Sequence, residues 1–135
     1  MAWLKRSAEG GFPRAANEFG QALVEGDKRE EGQRWLEVAA RAGEPEALYN
    51  LGLLKVKGSD SNETAAVGLF LEACERGLSA ACKNVGVAYY NGKGVGKKDL
   101  RLARLWFEKA GDAHSRSIAA MISESLGAVK EEGEL

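Results

Sequence analysis

Apolar residues recur along this chain at the three- and four-residue spacing of one helix face. Ala47, Leu48, Leu51 and Leu54 define such a face between Pro45 and Lys57, and Trp35, Leu36, Ala39 and Ala42 define another just ahead of Gly43. Pro13 and Pro45 stand two residues after Gly11 and Gly43, where a proline at the first helical position opens a helix. Ser79 has the same offset after Gly77 and is expected to cap the helix that follows. Gly43 suits the left-handed turn that closes a helix. His114 is expected to take that role at the end of the last unit, because His tolerates positive φ better than most residues.

These faces repeat. Gly20, Gly52 and Gly86 are spaced by 32 and 34 residues, each after an apolar residue (Phe19, Leu51, Val85). Ala15, Ala47 and Ala81 precede them by five residues, and Gly26, Gly58 and Gly92 follow them by six. A second series, Trp3, Trp35, Leu69 and Trp106, is followed eight residues later by Gly11, Gly43, Gly77 and His114. Tandem units of this length, each a pair of helices, point to a solenoid. A glycine inside a helix costs about 1 kcal/mol relative to alanine. Its return in one register implies close approach of the paired helix, with Gly32, Ala66 and Ala103 expected on the other side.

Composition agrees with helices. The chain holds 21 Ala and 15 Leu against two Ile, eight Val and one Thr, a profile poor for strands. At 135 residues it makes one domain. Basic and acidic residues number 19 and 20 and mix throughout, which argues against nucleic acid as a partner. No apolar run reaches the ~18 residues of a membrane span, so membrane insertion is not expected. Residues 1–10 carry no signal-peptide core. As written the chain is expected to be cytoplasmic, or periplasmic or secreted if it is a processed or truncated form.

The stretch from Ala81 through Gly86, Tyr89, Gly92, Gly94 and Val95 to Asp99, Ala103, Trp106-Phe107 and Lys109-Ala110 resembles a Sel-one-like repeat (SLR), a relative of the tetratricopeptide repeat. The Gly92-x-Gly94-Val95 loop is the most specific part of the likeness. The first two units are degenerate: glycine to Trp/Leu anchor is 15 and 17 residues there, against 20 in the third. The resemblance implies an all-α, right-handed superhelical α-solenoid of about eight helices. Its expected organisation is a half repeat at 2–11, repeats at 13–43, 45–77 and 79–114, a half repeat at 115–127, and a charged tail at 129–135. In the last helix Ile118, Ile122, Ser123 and Leu126 are expected at the Ala, Leu, Gly and Tyr positions. The half repeats are either caps or the mark of a longer array.

Cys74 and Cys82 are the only cysteines. Their spacing resembles that of a cysteine-rich, secreted bacterial branch of the SLR family, which implies a disulfide between adjacent helices; the alternative is a pair of small buried thiols. No metal site is expected, since two Cys and one distant His do not supply four ligands, and no cofactor is expected. The Gly92–Lys98 loop departs from a phosphate-binding loop in spacing and context, which leaves it as an inter-helix turn. Catalysis has little to stand on. A Cys74–His114 dyad would need distant helices to converge, and the β-lactam-binding activity associated with the cysteine-rich branch lacks a visible nucleophile.

A short solenoid presents a surface. If the pairs stack as in tetratricopeptide repeats, residues three before, one after and four after each mid-helix glycine line the concave face. These are Asn17, Gln21 and Val24, then Tyr49, Leu53 and Val56, then Lys83, Val87 and Tyr90, bordered by Lys57 and Asn91. An apolar-aromatic strip with polar ends has the composition of a protein-binding site. The expected function is a non-enzymatic protein or peptide-binding module, the alternative a secreted, disulfide-bridged protein acting at a host or envelope surface.

Overall fold

The computed structural model describes residues 2–57 and 61–134, and Gly58 of the second glycine series lies outside them. Within the described residues the chain is an all-α solenoid of eight helices: α1 (Ala2–Glu9), α2 (Pro13–Glu25), α3 (Arg29–Arg41), α4 (Pro45–Val56), α5 (Glu63–Glu75), α6 (Ser79–Asn91), α7 (Leu100–Ala110) and α8 (Ala113–Glu134). Each helix packs on its neighbours in sequence, and beyond them the appreciable contact is α2 with α4. This nearest-neighbour stacking is the architecture of a repeat array.

The reversals between repeats are built alike. Gly11, Gly43, Gly77 and Gly111 all have left-handed backbones, φ +89°, +85°, +97° and +75°. At Gly43 the backbone N–H of Glu44 donates to Ala39 at 3.1 Å and that of Gly43 to Ala40 at 2.9 Å, the paired bonds of a Schellman turn. The last cap is Gly111, not His114, which lies exposed in the first turn of α8. The physical reason is a trade of lengths. Gly86 to Phe107 is three residues longer than Gly52 to Phe70, and Phe107 to Gly111 is three shorter than Phe70 to Gly77. The interval between left-handed glycines therefore stays at 34 for both repeats.

That trade moves the register of α8 by three residues. Ser115, Ala119 and Ile122 are its buried positions, corresponding to Ala81, Val85 and Ala88 of α6; Ile118 and Leu126 are half-buried and Ser123 is exposed. Helix α8 also continues to Glu134 where a charged tail was expected from residue 129, because Ala128, Lys130, Glu131 and Glu132 all favour helix and no proline stops it. Ser79 does not cap α6: it is the first helical residue, and Leu78 at the cap makes no side-chain bond. Side-chain caps serve α5, α7 and α8 instead, where Asn62, Asp99 and Asp112 accept from the backbone N–H of Ala65, Leu102 and Ser115, each at 3.0 Å.

The mid-helix glycines are pressed by the paired helix, as expected. A Cβ on Gly20 would stand 2.8 Å from the Gly32 carbonyl oxygen and 3.0 Å from Leu36 Cγ. On Gly52 it would meet the Phe70 ring at 2.7 Å, and on Gly86 the Phe107 ring at 3.1 Å. At Gly20 the nearest atom belongs to the small residue Gly32. In the next two repeats the nearest atoms belong to a ring one turn beyond Ala66 or Ala103. Leu36, Phe70 and Phe107, at most 5% exposed, follow Trp35, Leu69 and Trp106 and form the inner row. Trp35, Leu69 and Trp106 flank it and are half-buried, whereas Trp3 is exposed.

Candidate functional site

The first helices of the pairs, α2, α4, α6 and α8, share one face, and two apolar grooves lie along it. The first, of about 240 Å³, runs between α4 and α6 over the α5 ring of Phe70. Leu53 and Val56 form one wall, Val87 and Asn91 the other. The second, of about 510 Å³, runs between α6 and α8 over Phe107 of α7. Val87 and Tyr90 stand on its α6 side, Ile118, Met121 and Ile122 on its α8 side, and Lys98 at its edge. The same construction therefore appears twice, and Val87 belongs to both.

Of the strip read from sequence, Leu53, Val56, Val87 and Asn91 come together in the first groove and Tyr90 faces the second. Tyr90 is 44% exposed, with the Lys98 ammonium 5.3 Å from its ring centroid. Asn17 requires correction: it is buried, and its Oδ1 accepts a 3.0 Å hydrogen bond from Asn50 Nδ2 across α2 and α4. Burying an amide demands such a partner. Tyr49 is half-buried, its ring tilted against Phe70 at 5.7 Å. Val24 packs against the Leu36–Leu51–Leu54 cluster. Gln21 donates to Glu25 at 3.2 Å on the surface. Lys83 is half-buried and raises the positive potential at Asp112. Lys57 is exposed, and its carbonyl, with that of Leu54, accepts from Arg29 Nη2 at 3.1 and 2.8 Å. Arg29 thereby satisfies carbonyls left open at the end of α4.

Sequence reasoning missed the floor of the grooves and the α8 wall. The floor had a signal, since Phe70 and Phe107 each follow the anchor residue of the repeat. The α8 wall was hidden by the length trade at Gly111, which put Met121 out of phase with the earlier units.

Cys74, in the last turn of α5, and Cys82, in the first turn of α6, are joined as a disulfide with Cα atoms 4.8 Å apart. It ties the second repeat to the third within the core cluster that also holds Phe70 and Val85. The bond leaves Cys74 no thiol for a dyad with His114. The Gly92–Lys98 turn folds back on α5, where a Cβ on Gly94 would press on the Glu63 carbonyl at 2.5 Å. Among the described residues no group of three His, Cys, Asp or Glu is placed to hold a metal, and no helix is long and apolar enough to cross a membrane.

Stacked helix pairs joined at left-handed glycines, with an apolar face along the first helices, define a helical-repeat protein. The Sel1 repeat model matches three times, at residues 14–44, 45–78 and 79–115, and the chain belongs to the Sel1 repeat family. Repeats of this family generally serve as protein-interaction modules. The structure is similar to that of a Sel1 repeat protein from Oxalobacter formigenes, at 31% identity and a TM-score of 0.76, over 87% of this chain and 94% of that one. It is also similar to a protective antigen present in uropathogenic Escherichia coli strains and displaying an SLR fold, at 28% identity and a TM-score of 0.76. That match covers 90% of this chain and 27% of the antigen. No curated protein matches the sequence.

Proposed function

We propose that the chain is a non-enzymatic protein-binding module, an adaptor that holds a peptide segment or a folded partner on the face of its first helices. The observation that carries this reading is the doubled apolar groove, with Val56, Val87, Tyr90 and Met121 left 39–68% exposed along one side of the molecule. Large apolar side chains gathered on one face of a monomer mark interaction sites. The test measures affinity and melting temperature together, for a partner recovered with the intact chain. Tyr90→Ala should weaken binding by ~1–3 kcal/mol, the range for aromatic anchors, and leave the melting temperature nearly unchanged. Tyr49→Ala should lower the melting temperature, since its ring packs on Phe70. Unchanged affinity in Tyr90→Ala would move the site to the second helices or the loops.

A second reading, an exported protein acting at a host or envelope surface, is favoured by the Cys74–Cys82 bond, because such bonds persist in oxidising compartments. The similarity to a protective antigen is in keeping with it. Two reactive thiols in aerobically purified native protein would exclude it.

A further inference from the structure

We propose that the groove between α6 and α8 selects an acidic peptide segment that seats an apolar side chain, an inference that rests on the binding-module reading above. Three observations converge on it. The groove is apolar, with Phe107 and Leu100 below and Met121, 68% exposed, on the far wall. Lys98 is the one charged residue that lines it, and no carboxylate does. From Ser79 to Asp99 the chain carries Lys83, Lys93, Lys97 and Lys98 against the single acid Asp99, whose carboxylate is engaged by the Leu102 N–H at the start of α7. A carboxylate beside an apolar side chain seated in this groove therefore meets Lys98, whereas a basic segment meets like charge there.

Val87 lines both grooves, so the two flank α6, and an extended segment laid across that helix can seat apolar side chains on either side of it. The first groove is lined by Glu63 as well as Lys93, so the charge preference belongs to the second.

The experiment uses the whole chain and three fluorescein-labelled dodecapeptides with leucine at every third position, the intervening positions all Asp, all Ser or all Lys. Affinity is read by fluorescence anisotropy and location by amide shifts in NMR spectra of labelled protein. The Asp peptide should bind at least tenfold more tightly than the Lys peptide and shift Val87, Tyr90, Met121 and Ile122. Lys98→Glu, at an exposed position, should weaken the Asp peptide at least threefold while leaving the protein folded by circular dichroism. Equal binding of the Ser or Lys peptide in the same groove would overturn the acidic preference and leave the binding module standing. Shifts confined to Leu53 and Val56 would overturn the placement. If no peptide perturbs either groove, the proposal fails, and the peptide-binding form of the module reading fails with it.

Discussion

Between α2 and α4 the face of the first helices is bridged directly, by the amide of Asn50 donating to Asn17; between α4 and α6, and again between α6 and α8, it opens into grooves. The repeats share one register and differ also in what sits on the mid-helix glycine. In the first repeat Gly20 meets Gly32 backbone to backbone, with Leu36 alongside. In the second and third a phenyl ring from the paired helix fills that space, and the same ring lines the groove between neighbouring first helices. Phe70 and Phe107 each line a groove, and the first repeat has Leu36 at the corresponding place.

The sharpest way to break this comparison is an alanine series at the glycines. Gly32→Ala should lose most, at or beyond the upper end of the ~1–3 kcal/mol range for overpacking, because the new methyl meets the Gly20 carbonyl at 2.6 Å and neither helix backbone can yield. Gly52→Ala should cost less, since the obstacle is a ring that can tilt. Gly86→Ala, with its contacts at 3.1 Å, should be nearly neutral, offset by the ~1 kcal/mol that alanine gains over glycine in a helix. Equal falls in melting temperature across the three would show that ring and backbone joints are equivalent.

Next in size is the bond between the second and third repeats. Reducing Cys74–Cys82 should lower stability by about 2.5 kcal/mol for so short a loop, measured as urea midpoints with and without reductant. Hydrogen exchange should rise at the α5–α6 turn more than at the α3–α4 turn, which has no such link. Asn50→Ala should cost ~1–3 kcal/mol by leaving the buried Asn17 amide without its donor. Asn17→Ala, which removes the buried partner instead, leaves only the half-exposed Asn50 and should cost less. A reversed order would mean that Asn17 is satisfied by something other than Asn50.

The repeat period, the helix pairs and the left-handed glycines at 11, 43 and 77 were legible because they depend on local backbone demands that recur. The grooves were legible in part. Leu53, Val56, Val87 and Tyr90 followed from helical phase alone. Asn17 shares that phase, but its neighbour across the stack is an amide, and whether a polar residue faces water or a partner is decided by a residue 33 positions away. Met121 and the cap at Gly111 were illegible for a different reason: the longer Gly92–Lys98 loop is plain in the sequence, whereas the equal shortening between Phe107 and Gly111 shows only once the end of α7 is known.

The smallest effect expected is at the last joint, where Asp112 caps α8. The nearby Ser115 side chain, short of a well-formed hydrogen bond, and the Ser115 N–H donating at 3.0 Å hold this carboxylate below its usual range. A depressed folded value means the stabilisation is present above the unfolded value and lost as pH falls through the folded one. Helicity of α8 should therefore drop slightly on acidification below pH 3.8, followed by amide exchange at Ser115 and Ala119. Asp112→Asn, which keeps an acceptor without the titration, should flatten that dependence.

The constant interval between Gly43, Gly77 and Gly111 makes each left-handed glycine a natural recombination point. Because the third repeat returns in α7 the residues it adds in its loop, the segment 78–111 begins and ends in the same phase as 44–77. Exchanging, duplicating or deleting such a segment leaves every later helix facing as before. Loop length can vary inside a unit without rotating the rest of the array, so a new recess can be tried in one repeat while its neighbours keep theirs.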